Sequence, residues 1–163
     1  MAAVLARLQP LQRLLPGLWA GWMLCVALLA TPAPFATLAV ADAGRVVSRM
    51  LAQEAYTSLV LGALILVLER LTIRRAAAAG QISQFSPGMV LALGTLFCTV
   101  AGFFALQPLM PAARAGQGPL TFGQLHLLSA GFFVVKGLLV LTLAWRSVRD
   151  LPPTLTTGSA LSS

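Results

Sequence analysis

Four stretches of roughly 20 or more mostly apolar residues divide this chain, and each is long enough to cross the hydrocarbon core of a bilayer as an α-helix. They run over about 14–40, 50–69, 87–110 and 120–145. A backbone surrounded by hydrocarbon must satisfy its own hydrogen bonds, so each stretch is expected to be a helix. No ten-residue alternating pattern argues for a barrel. Charged residues make up 9 % of the 163 and hydrophobic ones 58 %. An average soluble domain is about a quarter charged, so too few charges exist here to coat a water-soluble globule. The chain is too apolar for intrinsic disorder. The expected fold class is all-α, a four-helix transmembrane bundle.

Three regions follow. Residues 1–13 form an N-terminal segment, 14–146 the four-span domain, and 147–163 a tail that its Pro152, Pro153 and Ser/Thr/Gly run should make mobile. Pro32 and Pro34 should kink or end the first helix. The second helix should begin ahead of its apolar core, near Asp42. Pro87 suits a first helical turn. The Gly-, Ala- and Pro-rich stretch 111–119 reads as a loop.

Charge sets the orientation. The net charge is +7, which in a soluble protein would suggest nucleic acid. Here the basic residues stand in ones to threes beside apolar stretches, as topology signals do, and nucleic acid is not an expected partner. Arg7, Arg13, Arg70, Arg74, Arg75, Arg146 and Arg149 flank one side, against Arg45, Arg49 and Arg114 on the other. Both termini are therefore expected in the cytoplasm, with Trp19, Trp22 and Trp145 as interfacial anchors. A rival reading takes Arg7, Arg13, the apolar run and Ala30-Thr31-Pro32-Ala33 as a cleaved signal peptide, which would leave three spans. The first run is long for a signal, and Phe35 to Val40 continues it.

Small residues recur four apart as Gly17, Gly21 and Cys25 in the first span and as Gly94, Cys98 and Gly102 in the third. Such faces let helix backbones approach closely in lipid. Packing inside the bundle is the expected use, and dimerisation the alternative. The two cysteines read as small buried hydrophobes.

The fourth span carries the most informative polar residues. His126, Ser129, Phe133 and Lys136 share one helical face. Lys136 lies about 15 Å of helix from Arg146, too deep to snorkel easily. A charge at that depth should face the bundle interior, a partner or water. Gln53, Glu54, Tyr56 and Gln107 stand near the depth of His126. Asp42, Arg45, Arg49 and Gln53 share a face, and Asp42 can pair with Arg45 at i,i+3. The candidate polar cluster is therefore Arg45, Arg49, Glu54, His126 and Ser129 toward the outer side, with Lys136 deeper.

The chain has one His, so a bis-histidine haem within one copy is impossible. A zinc site would need three or four ligands. No metal site or cofactor is assigned. The P-loop, GxSxG, HExxH and GxGxxG motifs are absent, and nothing nominates an enzyme.

Trp19-Ala20-Gly21, Pro32-Ala33-Pro34-Phe35, Ala43-Gly44-Arg45 and Leu125-His126-Leu127-Leu128-Ser129 resemble the four-span family called domain of unknown function 4149, over roughly residues 14 to 146. The family includes bacterial proteins and the eukaryotic transmembrane protein 205 group. The resemblance implies a four-helix bundle with the His near the start of the last span. It links eukaryotic members to platinum-drug resistance, a phenotype without a mechanism. The family often has Asn one turn after the Ser, where this chain has Phe133. A more distant likeness is to copper-resistance-D-like bundles, some of which bind haem.

Three functions remain open at this point. One is a non-enzymatic transport, stress-resistance or assembly component of a bacterial inner membrane. Another is a haem- or metal-binding redox protein using His126. The third is an accessory subunit of a larger complex. The expected partners are the bilayer itself, and a second copy or another membrane protein.

Overall fold

A computed structural model of the chain describes residues 9–78 and 86–149. Among these residues there is no strand. Four helical spans, Pro10–Thr37, Val40–Arg74, Pro87–Arg114 and Phe122–Arg149, are each long and apolar enough to cross a membrane. Residues 1–8 of the expected N-terminal segment, and the expected tail beyond Arg149, lie outside the described residues.

The first span is α1 (Gln9–Cys25), a π-helical turn (Val26–Ala30) and α2 (Pro32–Thr37). Pro32 and Pro34 do not break it outright. Neither has an N–H to give the turn before it, so α-helical bonding fails just ahead of them. The chain widens instead: Thr31 donates its backbone N–H to Val26 O at 2.9 Å and its hydroxyl to the same oxygen at 2.8 Å. The helix then resumes with Pro32 in its first turn.

The second span belongs to α3 (Val40–Ala78), 39 residues long. That is about 58 Å of helix, well beyond the roughly 30 Å that a hydrocarbon core requires. The third span starts with α4 (Pro87–Thr99). Ser86 caps it in extended conformation and accepts from Met89 N at 3.1 Å. A second π-helical turn (Val100–Ala105), a 3-10 turn (Gln107–Leu109) and α5 (Met110–Arg114) complete that span. The expected 111–119 loop is thus shorter, because Pro111 sits in the first turn of α5, where a missing N–H costs nothing. The chain reverses at Gly116 and Gly118, whose positive φ values of 72° and 110° favour glycine. The fourth span is α6 (Phe122–Arg149).

Alternating spans put the start of α1, the end of α3, the start of α4 and the end of α6 at one end of the bundle. Gln12 reaching Thr72 at 3.2 Å ties two of these ends together. α6 packs against both α1 and α4, α4 packs against α3, and α1 meets α3 more lightly. The core joins Trp19, Ala20, Met23, Ile65, Ala92, Val140 and Leu143.

The distribution of polarity inverts that of a soluble protein. Leu14, Leu28, Leu29, Val60, Phe97 and Leu127 are exposed, while Glu54, Ser58, Thr95, Thr99 and Lys136 are buried. Apolar side chains exposed along all four spans suit a lipid surrounding.

The two small-residue faces part ways. Gly94 and Gly102 turn inward: a Cβ on Gly94 would lie 3.0 Å from Leu139, and one on Gly102 would lie 2.5 Å from the Cβ of Phe132. Cys98, between them, is buried. Gly17 and Gly21 are not packed inside the bundle as expected. They are exposed with nothing within 4 Å of an added Cβ, and Cys25 is exposed beside them. The reason is angular: α1 meets α6 and α3 through Trp19, Ala20 and Met23, which leaves the glycine face outside.

Gly102→Ala should therefore push α6 away from the third span and lower stability in detergent by about 1–3 kcal/mol, against the usual gain of Ala over Gly in a helix. Gly17→Ala and Gly21→Ala should leave the thermal unfolding temperature of a monomeric preparation unchanged or raise it slightly.

Candidate functional site

The buried polar side chains converge at mid-depth. Lys136 stands 14 residues from Phe122 and 13 from Arg149, near the middle of α6. Glu54 lies 14 residues into α3. Both are therefore about 20 Å along their helices from the same end of the bundle. The Lys136 ammonium donates to Glu54 Oε2 at 2.7 Å and to Oε1 at 2.9 Å, so one cation spans both carboxylate oxygens. Its side chain is 4 % exposed and that of Glu54 is 2 % exposed.

Two neighbours complete the network. Ser58, one turn after Glu54, donates its hydroxyl to Glu54 Oε1 at 2.6 Å. Trp19 of α1 donates its indole N–H to Ser58 Oγ at 3.1 Å. The ammonium lies 3.4 Å from the same hydroxyl and 5.0 Å above the Phe133 ring. Three spans thus meet in one chain of bonds. Thr95 and Thr99 are buried too, but they return their hydroxyls to their own helix at Ala92 O and Thr95 O. No buried side-chain polar atom among the described residues is left without a partner.

This arrangement regroups the residues expected at the site. Of the polar candidates only Glu54 and Lys136 come together. Arg45 pairs with Asp42 on the surface, and Arg49 is exposed. Ser129 donates to Gly102 O at 2.7 Å, satisfying a carbonyl within the second π-helical turn. Gln107 reaches Ser48 at 3.1 Å. Tyr56 packs edge-on against Phe104. His126 is exposed and stacks on Phe122, over which the Arg114 guanidinium lies at 4.6 Å. The expected cluster assumed that equal depth meant contact. His126 and Lys136 are ten residues apart, so even on one face they differ in depth by about 15 Å.

Trp19 corrects another expectation. It is fully buried in the bundle instead of anchoring the interface. Ser58 was missed as well. Its signal was local, a hydroxyl at i+4 from Glu54 on an apolar helix. Among the described residues, no three His, Cys, Asp or Glu side chains gather where they could hold a metal ion.

Four apolar helices with ionisable groups turned inward define a small polytopic α-helical membrane protein. The family model for domain of unknown function DUF4149 matches residues 14–118, and the chain belongs to that family. The match covers the first three spans and with them Trp19, Glu54 and Ser58. It ends before α6, which carries Lys136 and His126. No curated protein and no solved structure matches the chain.

Removing one partner of a buried pair strands the other charge. Lys136→Met or Glu54→Leu alone should cost about 3–5 kcal/mol of stability, and the double variant should recover much of that. Thermal unfolding of the four proteins in one detergent checks this as a double-mutant cycle. Trp19→Phe should cost about 1 kcal/mol through the lost donor to Ser58.

Proposed function

We propose that this protein is a non-enzymatic transport component of a bacterial inner membrane, with the Glu54–Lys136 pair as its proton-handling centre. One observation carries the reading: a carboxylate and an ammonium from different spans are held in buried contact about midway along the fourth span, and a charge at the middle of a membrane helix costs several kcal/mol on its own. A proton passed from Lys136 Nζ to Glu54 Oε2 turns two charges into a neutral pair, so the centre can exist in two electrostatic states in a low-dielectric setting. Separation of α3 from α6 would open the pair to water. The π-helical turns of the first and third spans support such movement, since interruptions of this kind recur at working sites of helical proteins. A role in stress resistance is consistent with proton or solute movement by a chain of this size.

The orientation belongs to the same proposal. In the sequence, seven basic residues flank the spans on the side of the two termini, against three on the other. This bias favours that side, and both termini, in the cytoplasm. Reporter tags at either terminus should both read out on the cytoplasmic side of whole cells. One tag on each side would refute the topology.

Flux decides between a working pair and a structural brace. Vesicles with an entrapped pH indicator and the wild-type protein should dissipate an imposed proton gradient faster than empty vesicles. The neutral double variant Glu54→Gln/Lys136→Met, shown to be folded by its unfolding transition, should not. Equal rates in wild-type and empty vesicles, or full activity in the folded double variant, would leave the pair a structural element alone.

Association through α1 is a second reading, favoured by the outward face of Gly17, Gly21 and Cys25. Small residues spaced four apart let two such helices approach closely in lipid. Mild oxidation should then cross-link Cys25 to Cys25 in membranes, and Gly21→Leu should suppress the product. Absence of a dimer band with wild-type protein counts against a second copy as the partner.

A further inference from the structure

At the end of the bundle away from the α5–α6 turn lies a small open cleft of about 70 Å³. Its walls come from all four spans. Ile65, Leu68 and Leu143 supply apolar surface, while Gln12, Glu69 and Arg146 supply polar groups. Glu69 and Arg146 line one space yet do not pair with each other. Among the described residues the ion pairs are Asp42–Arg45 and Glu54–Lys136.

The carboxylate of Glu69 is held in place. Ser86 donates its hydroxyl to Glu69 Oε2 at 2.6 Å. Gly88 leaves the carboxylate room, since a Cβ there would lie 2.6–2.8 Å from the carboxyl atoms. Arg146 is exposed on α6, between the exposed apolar Trp145 and Val148. The cleft therefore presents a carboxylate held by Ser86 and an exposed guanidinium above apolar surface, at one end of the spans.

We propose that this cleft binds the head group of an amine-bearing zwitterionic phospholipid such as phosphatidylethanolamine. The ammonium sits against Glu69, the phosphate meets the Arg146 guanidinium, and the acyl chains descend along the apolar exterior. An Arg guanidinium suits a phosphate through paired N–H donors. Glu69 sets the selectivity: it attracts an ammonium and repels a purely anionic head group. The location favours a lipid over a soluble zwitterion, because the cleft shares its rim with exposed apolar side chains.

Native mass spectrometry of the full chain, released from mixed micelles of phosphatidylethanolamine and phosphatidylglycerol, tests the assignment. A charge-assisted hydrogen bond corresponds to about a tenfold preference, so the wild type should retain phosphatidylethanolamine about tenfold over phosphatidylglycerol. Glu69→Gln still accepts from Ser86 and should erase that preference. Arg146→Gln, at an exposed site, should lower retention of both lipids. If Glu69→Gln cannot be recovered folded, Gly88→Ala, which displaces the carboxylate, should reduce the preference instead. Three results would overturn the proposal: equal retention of the two lipids by the wild type, a preference unchanged in these variants, or a thermal shift with soluble phosphoethanolamine as large as with the lipid. Proton flux is not read in this experiment, so its outcome is separate from that of the Glu54–Lys136 centre.

Discussion

The contact between Lys136 and Glu54 is the constraint around which the bundle is arranged. Two opposite charges at mid-membrane are tolerable only when they meet, because neither water nor lipid is there to solvate them. Their union ties α3 to α6 at one depth, and Ser58 extends it to Trp19 on α1. In lipid, burial of apolar side chains gives little drive for helices to associate, since hydrocarbon tails are as apolar as leucine. Polar bonds and close packing must then specify which helices meet.

Packing supplies the second part of that specification. Gly94 and Gly102 let the third span approach α6 closely enough for Phe132 and Leu139 to lie against its backbone. Ser129 adds a hydrogen bond to Gly102 O at the same crossing. The interior thus combines a charged centre near mid-depth, a glycine-lined crossing beside it, and an apolar cluster around Trp19, Ile65 and Val140. Side-chain hydroxyls bond the backbone at both interruptions: Thr31 adds a second bond to Val26 O, and Ser129 reaches Gly102 O.

The ends of the bundle differ in character. At the α5–α6 end, Arg114, Phe122 and His126 form an exposed stack, and Asp42 and Arg45 pair in the open. Exposed pairs of this kind contribute little to stability. At the opposite end Glu69 is held by Ser86 and shares a cleft with Arg146. Charge is thus spread thinly at one end, confined to a single pair in the middle, and arranged around a cleft at the other.

Much of this architecture was legible in the residues alone. The four spans, their helical nature and the inward placement of Lys136 follow from one physical fact: hydrocarbon solvates neither backbone amides nor charges. Stretches of apolar residues therefore report helices regardless of how they pack. Partner choice was not legible, since the same helix can be turned to present any face. Depth counting put Glu54 beside His126, whereas rotation of α6 and a 15 Å difference in depth gave Glu54 to Lys136. Spacing alone made Gly17-Gly21-Cys25 and Gly94-Cys98-Gly102 look equivalent. Only the tertiary arrangement turned one face inward and left the other outside, because a helix's neighbours are decided by the sum of contacts around its whole circumference.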